Sequence, residues 1–520
     1  MGTTSPANRR WVFVPYDQLT AEVGPLAHEA PNEVGIVLVE CPAKAARRPY
    51  HQQKLALVLT NLRHFALEQA ARGVAVRHEV ADSYAGAIER VVPELGPLRM
   101  MRAAERELRA ELEPLVRDGR LALVPHEGWL TTEDDFRASQ GDEPPWRMDA
   151  FYKYVRRGLE ILMVRGKPEG GRFSFDSENR QRWNGTPPAP EPLTFAVDDV
   201  TREVCDLVKS HFSRHPGVLK PEMLPATQGD AERLWSFAKG ACLPSFGPFE
   251  DAMSTASRTL FHTHISPLLN LLRLPATRVV RDVAAMKDLP LASREGFIRQ
   301  ILGWREYMRH VHEATDGFRV IRGEQQPTNA QGSSITSFLG AERELPAAYW
   351  GEASGLRCLD EVVKSVWEDG YSHHITRLMV LSNIAMLLDV SPRELTDWFW
   401  IAYVDAYDWV VEPNVHAMGS FGVGDLLTTK PYVAGSAYIH KMSNYCEGCR
   451  FDPKSTCPLP SLYWAFLGRH RDELAGVNRM KLPMAAEAKR TAAQKKADAA
   501  TFAIVTETLA AKRELTGKLR

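Results

Sequence analysis

The chain has 520 residues, of which 44% are hydrophobic and 25% charged, and its formal net charge is -1. This composition is typical of a globular protein with more than one core, and no apolar run approaches the ~18 residues that a membrane span needs. The net charge excludes a uniformly basic nucleic-acid coat but allows a local basic face. The first ten residues lack the long apolar stretch of a secretion signal, so we expect a cytoplasmic protein that does not enter a membrane.

The first 125 residues alternate short apolar runs with helical patterns, which indicates a parallel sheet covered by helices. A long helix is predicted over Lys54–Arg72, with Gly73 as its C-terminal cap. We therefore assign residues 1–138 to a doubly wound α/β domain. The predicted strands are Trp11–Val14, Gly35–Glu40, Val74–Val80, Leu98–Arg102 and Leu121–Pro125.

Polar residues follow the first two predicted strands. Ligands of doubly wound sheets bind at the carboxyl ends of the strands, which makes Asp17, Gln18 and Glu40 candidate pocket residues. On spacing alone, capping of the next helix or turn is the better explanation. No Gly-x-Gly-x-x-Gly motif follows the first strand, so a Rossmann-type dinucleotide site is not expected in this domain.

Residues 139–200 are rich in Gly, Pro and Arg and are predicted to form a connector with one short helix. Helical patterns then dominate, so residues 201–475 are predicted to be an all-α domain. Residues 476–520 are Ala-rich and lack a wide apolar face, which indicates a solvated helical extension. Predicted helices of the second domain cover Asp230–Lys239, Phe249–Leu274, Ser293–His312, Gly355–Asp369, Ser372–Leu388 and Ser391–Tyr407.

Aromatic residues next to cations occur in two places. Trp304 beside Arg305 suits stacking on a base and binding of a phosphate. The connector carries Arg156, Arg157 and Lys167 close to tyrosines, which fits contacts to a DNA backbone. A solvent-exposed helix can carry the same residues for solubility, so this pattern alone does not establish DNA binding.

Three of the seven cysteines fall in one loop. Cys446-x-x-Cys449 followed by Cys457 suits a tetrahedral zinc site or one face of an iron-sulfur cluster. His440 would complete a zinc site, whereas the distant Cys358 would complete the all-thiolate set that clusters prefer. The spacing predicts a metal site and leaves zinc and cluster equally open.

Histidines and aromatic residues are concentrated in two further segments. His373 and His374 begin a predicted helix, where they could exchange a proton with a substrate or simply cap the helix. Six aromatic and three acidic residues share the thirteen positions from Asp397 to Trp409. Such a cluster suits a large planar cofactor and single-electron transfer, although aromatic residues at helical spacing are more often core.

Taken in order, these motifs resemble the iron-sulfur bacterial cryptochromes and photolyases over roughly residues 10 to 480. The resemblance implies an α/β antenna-binding domain followed by an all-α domain that binds FAD. The motifs that carry it are Asp17-Gln18-Leu19, Arg63-His64-Phe65-Ala66, Phe173-Ser174-Phe175-Asp176 with Glu178-Asn179-Arg180, Gly303-Trp304-Arg305-Glu306-Tyr307, His373-His374, Asp405-Ala406-Tyr407-Asp408-Trp409, Lys430-Pro431-Tyr432 and Cys446-x-x-Cys449.

The resemblance also implies how the cofactors are bound. Cys358, Cys446, Cys449 and Cys457 would hold a 4Fe-4S cluster. Asp17, Gln18 and Glu40 would bind a 6,7-dimethyl-8-ribityllumazine antenna. The residues assigned to FAD are Arg305, Arg377, Asp405, Asp408, Val411, Glu412, Asn414 and Tyr432. The residues assigned to DNA are Trp304, Arg156, Arg157, Lys167 and Tyr438.

The implied activity is that of a DNA photolyase, a light-driven carbon-carbon lyase that repairs (6-4) pyrimidine photoproducts in UV-damaged DNA, here expected to act as a monomer. His373 or His374 would exchange a proton with the lesion. Trp398, near the flavin, and Trp350, near the surface, would carry electrons to it.

Some features depart from the family pattern. Phe399 stands where a redox-active tyrosine is expected between Trp398 and Trp350, so the relay is predicted to use Trp400, Tyr403 or Tyr407. Which of Val411, Glu412 and Asn414 faces flavin N5 stays open. Two other functions also stay open: a cryptochrome-type photoreceptor that signals with the same cofactors, and a zinc-dependent DNA-binding module without photochemistry.

Overall fold

A computed structural model describes residues 9–517 of the chain. Most of the segment behind the expectation of no secretion signal, residues 1–8, and the last three residues of the predicted extension lie outside this range. Within the described residues, no helix is both long and apolar enough to cross a bilayer.

The N-terminal region contains a five-stranded parallel sheet, as the sequence predicts. The spatial order is β3-β2-β1-β4-β5, and all seven residues of β2 are buried, because helices cover both faces of the sheet. Strands β2 and β3 lie on one side of β1, and strands β4 and β5 lie on its other side. This switch in strand order leaves a crevice at the carboxyl ends of β1 and β4. The strands are β1 (Arg10–Phe13), β2 (Val34–Glu40), β3 (Ala75–Val80), β4 (Leu98–Met101) and β5 (Leu121–Val124).

The helices around this sheet begin and end where local chemistry favours it. The predicted helix at Lys54 begins two residues earlier, at Gln52, because the His51 side chain accepts a hydrogen bond from the Gln53 amide. Gly73 follows its end with φ +91°, a conformation that favours glycine. The helices of this region are Pro25–His28, Pro42–Ala46, Gln52–Ala71, Tyr84–Leu95, Arg106–Arg117 and Glu133–Gln140.

The rest of the chain is almost entirely helical. Four long runs combine α-helical turns with wider π turns and cover residues 228–249, 291–314, 374–387 and 408–419. The other α-helices are Met148–Gly158, Asp199–His211, Ser266–Asn270, Ala276–Ala285, Arg357–Asp369, Pro392–Ala402, Ser436–Met442, Leu459–Arg469, Arg471–Leu474, Lys481–Ala488 and Ala492–Ala510. Short 3-10 turns occur at Glu169–Gly171, Asp176–Glu178, Pro221–Met223, Ala347–Trp350 and Asn478–Met480. Two small antiparallel pairs join Met163–Val164 to Lys167–Pro168 and Val320–Ile321 to Glu324–Gln325.

Two helix predictions are wrong in their extent. The predicted helix over Phe249–Leu274 is an irregular segment with one short helix, because Leu260 and His264 adopt positive φ angles of 45° and 57° that no α-helix accommodates. The predicted helix over Ser391–Tyr407 ends at Ala402, and Tyr403 is extended. Both irregular segments line the cavity described below.

The prediction of a solvated C-terminal extension is also wrong. The helix Ala492–Ala510 buries Phe502, Val505 and Leu509 in the same core as Leu462 and Phe466 of the helix Leu459–Arg469. The apolar face is narrow but sufficient, because small alanines allow close approach of the two helices. This helix is therefore part of the helical core.

The two regions are joined by side chains of the aromatic segment. Tyr407 and Trp409 are buried in the core of the α/β region. Between them, the Asp408 carboxylate accepts hydrogen bonds from the amides of Arg106 and Glu107 at 2.7 and 3.1 Å, which caps the helix Arg106–Arg117. Residues 407–409 therefore connect the helical region to the α/β region.

Candidate active site

The helical region encloses one large cavity, of about 940 Å³. This volume lies in the range of sites that take up large cofactors or ligands. Of the residues assigned to FAD, Arg305, Arg377, Asp405, Val411, Asn414 and Tyr432 line it. Trp304 and Tyr438, assigned to DNA, line it as well, together with His374.

A buried ion pair fixes one wall of the cavity. Arg377 donates both terminal nitrogens to the Asp405 carboxylate, each at 3.0 Å, and Ser266 Oγ donates to the same carboxylate at 2.6 Å. Burial alone would raise the pKa of Asp405, but the Arg377 guanidinium outweighs it and holds this pKa below its ordinary value. The guanidinium also lies 4.1 Å from the ring centre of Tyr403. This wall is therefore a charged and rigid surface.

Arg305 supplies unsatisfied donors on another wall. Its guanidinium lies 4.2 Å from the ring centre of Trp129 and 5.2 Å from that of Trp409. Its Nη2 atom donates to the Leu269 carbonyl at 3.3 Å, and its Nη1 atom lies 3.5 Å from Glu306 Oε1. Within the described chain, the Nε and Nη1 atoms are buried and have no hydrogen-bond acceptor. Burial lowers the pKa of Arg305 to about 10, so the group stays charged at neutral pH. Buried donors of this kind fit an anionic group such as a phosphate, and with the cavity volume they fit a flavin dinucleotide.

Three histidines form a cluster beside this cavity. The rings of His262 and His373 are stacked with centroids 4.4 Å apart, and the His374 ring meets that of His262 edge-on at 5.4 Å. One nitrogen from each of the three lies within 4.8 Å of the others. Burial lowers the pKa of both His262 and His373 well below the ordinary value, so these two rings are neutral at pH 7.

Asp251 places a carboxylate next to the third histidine. Its Oδ1 lies 3.9 Å from His374 Nε2, and its Oδ2 accepts a hydrogen bond from the Tyr438 hydroxyl at 2.9 Å. His374 and Asp251 line the cavity, whereas His373 is packed behind His262. The cluster therefore places one half-buried imidazole, that of His374, next to a carboxylate at the wall of the cavity.

Sequence reasoning missed His262 and Asp251. Both lie in the irregular segment that the sequence predicts to be helical, so their side chains were not expected at the site. The doublet His262-x-His264 was an available signal, because His264 also lines the cavity. Neither His262 nor Asp251 lies at helical spacing from His373 or His374 in the sequence.

Trp398 and Trp350 are connected by a third tryptophan. The Trp367 ring lies between them, with its centroid 5.9 Å from that of Trp398 and 5.5 Å from that of Trp350. Trp398 is buried, and Trp350 is 48% exposed. The sequence analysis did not identify Trp367, because one tryptophan on an amphipathic helix resembles a core residue.

The residues predicted to bridge Trp398 and Trp350 lie elsewhere. Trp400 packs against the Arg48 guanidinium, 3.8 Å from its ring centre, because a shift of two residues on a helix turns the side chain to the other side. Tyr407 stacks on Tyr16 of the α/β region at 6.0 Å. Tyr403 stacks on Phe399 at 5.1 Å, next to Trp398 but away from Trp350. Neither Trp400 nor Tyr407 therefore lies between Trp398 and Trp350, and a role of these two residues in electron transfer stays a prediction.

The four cysteines assigned to a metal come together. Burial raises the pKa of Cys358, and the nearby thiols of Cys457, Cys446 and Cys449 raise it further. Cys358 is buried, and the other three cysteines are partly buried. The set offers the four thiolates that either a zinc ion or an iron-sulfur cluster takes up.

The crevice at the carboxyl ends of β1 and β4 contains a buried charged group of residues. Asp17 accepts a hydrogen bond from the Ala104 amide at 3.2 Å, while its Oδ1 atom is buried without a partner in the described structure. Burial raises the pKa of Asp17 to about 6. Next to it, Glu105 accepts hydrogen bonds from Tyr16 and Lys44. An orphaned carboxylate oxygen in a crevice of this type fits a polar ligand.

The other two residues assigned to the antenna are already engaged. Gln18 donates to the Met101 carbonyl at 2.8 Å. Glu40 pairs with Arg63 at 2.7 Å and His78 at 3.0 Å. Burial alone would raise the pKa of Glu40, but these two partners lower it to about 2. Glu40 is thus held by the neighbouring helix and strand, which leaves Asp17 as the member of this set with free hydrogen-bonding capacity.

Two further assignments disagree with the structure. Asp408 caps the helix Arg106–Arg117, as described above, and does not line the cavity. Glu412 is buried among His312, Arg319 and Arg393, which donate to its carboxylate from 2.9 to 3.5 Å. Of the candidates for the position facing flavin N5, only Val411 and Asn414 therefore line the cavity within the described residues.

Arg156 cannot contact DNA. It is 1% exposed, and its guanidinium donates to the carbonyls of Ile161, Leu162 and Phe173. These hydrogen bonds hold the following part of the connector against the helix Met148–Gly158. Arg157 and Lys167 are exposed, and Arg157 lies 4.7 Å from the ring centre of Phe173. They stay candidates for contacts to a phosphate backbone.

Several known proteins are similar in sequence to this chain. The family described as deoxyribodipyrimidine photo-lyase-related protein matches residues 12–223. The chain is 34% identical to a (6-4) photolyase of Agrobacterium fabrum over 495 residues, which cover 91% of this chain and 94% of that protein. An uncharacterized protein of Acanthamoeba polyphaga mimivirus is 34% identical over 104 residues, 20% of this chain and 81% of its own length.

A solved structure shows the same fold. The crystal structure of a bacterial class III photolyase from Agrobacterium tumefaciens matches with a TM-score of 0.59. The match covers 98% of this chain and 99% of that one at 15% sequence identity. At this identity the likeness concerns the fold alone.

Proposed function

This chain belongs to the photolyase family that includes the (6-4) photolyase of Agrobacterium fabrum, and from that premise we propose that it repairs (6-4) pyrimidine photoproducts in DNA, driven by light. The observation that carries the choice of lesion is the histidine cluster. His374 lines the cavity beside Asp251; neutral His262 lines it as well, and neutral His373 stacks on His262. Repair of this lesion requires a proton to be delivered and returned, which such a cluster supports.

A flavin is the cofactor that the photolyase family implies, and FAD fits the large cavity. Arg305 offers its unsatisfied donors to a phosphate, and the Arg377–Asp405 pair offers a fixed polar wall. When bound, FAD would absorb light and supply the electron that starts repair. The chain's own task is to hold it in an enclosed site with fixed charges around it.

The lesion would enter from the side of the histidines. A damaged dipyrimidine stacks poorly, so its extrusion from the duplex costs less than the few kcal/mol of a normal flip. Trp304 and Tyr438 line the same cavity and offer aromatic faces to an extruded base. Arg157 and Lys167 are exposed on the connector and would contact the DNA backbone.

The residue that exchanges a proton with the lesion would be His374 rather than His373. His373 is buried and neutral, and its ring packs on that of His262. His374 lines the cavity, and its Nε2 atom lies 3.9 Å from the Asp251 carboxylate, so it is the ring of the pair that can reach a bound substrate. His373 and His262 would then position His374.

Two further cofactors belong to this proposal. Cys358, Cys446, Cys449 and Cys457 would bind a 4Fe-4S cluster, which the proximity of the other three thiols to Cys358 supports. A lumazine antenna would bind at the crevice of the sheet, with the free oxygen of Asp17 as one partner. Tyr16 and Lys44 flank this position.

The test is repair of a defined lesion. Purified protein with reduced FAD is mixed with an oligonucleotide that contains one (6-4) photoproduct, and lesion loss is followed under blue light and in the dark. Light-dependent loss of the lesion is expected. Absence of loss, with flavin present and reduced, would contradict the repair function and favour a photoreceptor that uses the same cofactors.

A further inference from the structure

The residues that follow the last helix, 511–517, turn back over the part of the molecule that carries the clustered cysteines. They are called the closing segment below. We propose that the closing segment holds the two cysteine-bearing parts of the chain in register, with Leu515 and Arg450 as positioning residues of the cluster site. The inference rests on the proposed function, because it takes the four cysteines as ligands of the iron-sulfur cluster. It concerns how this site is held together, which is separate from whether a lesion is repaired.

Two distant parts of the chain supply the cysteines. Cys358 lies in the first turn of the helix Arg357–Asp369, whereas the other three lie in a loop of residues 446–457. The positions of the thiols relative to one another therefore depend on contacts that join this loop to the start of this helix. The closing segment makes such contacts with both.

A turn and one leucine fix the closing segment to the core. Lys512 adopts a positive φ angle of 54°, and the chain reverses there after the helix Ala492–Ala510. Leu515 is fully buried and lies in the same hydrophobic core as Cys358 and Phe451, a residue of the cysteine loop. This leucine therefore anchors the closing segment in the core that both cysteine-bearing parts share.

Leu515 also bridges the two parts through its backbone. Its amide donates to the Ser354 carbonyl at 2.9 Å, and its carbonyl accepts a hydrogen bond from Arg450 Nη1 at 2.9 Å. Ser354 lies four residues before Cys358, and Arg450 follows Cys449 directly. One residue of the closing segment thus connects a position next to one proposed ligand with a position next to another.

A glycine allows this close approach. Gly355 has a φ angle of +83°, and a Cβ atom at this position would lie 2.5 Å from the Leu515 carbonyl oxygen. The neighbouring Ser354 donates its hydroxyl and its amide to the Asp360 carboxylate at 2.6 and 2.9 Å, which fixes the turn before Cys358 to the helix that follows. A displacement of Leu515 would therefore reach the first turn of this helix.

Two hydrogen-bonded connections join the loop to the start of that helix. Arg357 donates to the Glu447 carbonyl, which attaches the first half of the loop directly. The second half is attached through Arg450, whose terminal nitrogens donate to the Leu515 carbonyl and, at 2.5 Å, to the Glu514 carboxylate. The closing segment therefore supplies the second connection, and its loss would loosen the half of the loop that the first connection does not hold.

Residues that orient metal ligands without binding the metal themselves change metal affinity by about 10–100-fold when they are replaced. The test therefore measures how fast the purified, cluster-loaded protein loses iron to a coloured iron chelator, well below the melting temperature. Arg450→Gln and Leu515→Ala are each expected to speed iron release by about tenfold. Arg450→Lys should restore part of the retention, because an ammonium group can still donate to the Leu515 carbonyl.

Two matched controls separate positioning of the cluster from general stability. Leu509→Ala removes another buried leucine of the same core, from the helix that precedes the closing segment. Arg490→Gln breaks an arginine pair with Asp498, at 2.6 Å, in the same part of the chain. Both controls should lower the melting temperature and leave the rate of iron release unchanged. Flavin content should stay the same in all variants.

Iron release at the unsubstituted rate in both Arg450→Gln and Leu515→Ala would overturn the proposal, as would an equal acceleration in Leu509→Ala. If Leu515→Ala does not fold, Arg450→Gln still decides, because the Arg450 side chain is 42% exposed and its replacement leaves the core intact. A protein that is purified without iron would contradict the cluster and, with it, this inference. Normal iron retention without light-dependent repair would contradict only the proposed repair function.

Discussion

The imidazole rings of His262 and His373 lie parallel, with centroids 4.4 Å apart and 7° between their planes. Two stacked cationic rings would repel each other, so this arrangement disfavours protonation of both rings together. Burial also disfavours the charged form, since it lowers the pKa of each ring. Of the three rings, that of His374 is the least buried and lines the cavity, which is why we propose it as the proton donor.

Replacement of His374 by asparagine should lower light-dependent repair by roughly 100-fold or more, because a positioned general acid contributes about that much. Flavin content should not change. The comparison is His373→Asn, which should lower the melting temperature more and repair less, because this residue is buried and acts through its neighbour. Equal loss of repair in a fully stable His373→Asn protein would indicate that His373, and not His374, is the proton donor.

Replacement of Asp405 by asparagine should destabilise the protein by about 3 kcal/mol and release flavin, because it leaves the partly buried Arg377 guanidinium charged and without its carboxylate partner, with the Ser372 carbonyl as its remaining acceptor. Urea unfolding and the visible flavin spectrum measure both effects. Asp397→Asn is the control, since its 2.7 Å pair with Arg393 is 37% exposed on the carboxylate side and should change stability by less than about 1 kcal/mol. Similar effects of the two substitutions would contradict the assignment.

Replacement of Cys358 by serine should remove iron and the broad visible absorption of a cluster, and should lower the melting temperature, because metal binding stabilises the folded state. Cys205→Ser is the matched control, since this thiol is also buried in a helix but lies away from the other cysteines. Iron content measured by a colorimetric assay should fall only in the first variant. Full iron retention in Cys358→Ser would point to another fourth ligand.

His310 predicts an acid-sensitive contribution to stability. Arg309 donates a hydrogen bond to His310 Nε2 at 2.9 Å, which requires a neutral ring, and burial followed by the Arg309 charge lowers its pKa to about 2. The unfolded chain takes up a proton near pH 6.5 whereas the folded chain does not, so the free energy of unfolding falls as pH falls below about 6.5. The slope from this residue is about 1.4 kcal/mol per pH unit.

The variant His310→Gln removes this titration. Urea unfolding of the variant between pH 6 and pH 4 should give a stability curve that is shallower by that slope, although the variant is less stable at pH 7. An unchanged slope would show that His310 is protonated in the folded protein.

The sequence allowed the sheet and most helices to be predicted, because burial on both faces gives β2 its continuous apolar run and Gln52–Ala71 its helical period. The proximity of Cys358 to the loop that carries the other three cysteines could be predicted only from the family resemblance, because spacing does not reveal contacts between distant parts of the chain. His262 was missed because left-handed residues interrupt a segment whose composition favours helix. Arg156 was assigned to DNA because spacing does not report that its guanidinium is bound by three carbonyls.

The helix Arg357–Asp369 links three parts of the site through its register. Cys358 and Trp367 are nine residues apart, about two and a half turns, so they point to opposite sides of the helix. Gly370 ends the helix, and the two histidines follow within four residues. Insertion of a single residue between Cys358 and Trp367 would turn one against the other by ~100°. On the proposed function, the length of this helix is therefore constrained at both ends, by the metal-binding thiol of Cys358 and by the histidines that follow Gly370, and a change that suits one end disturbs the other.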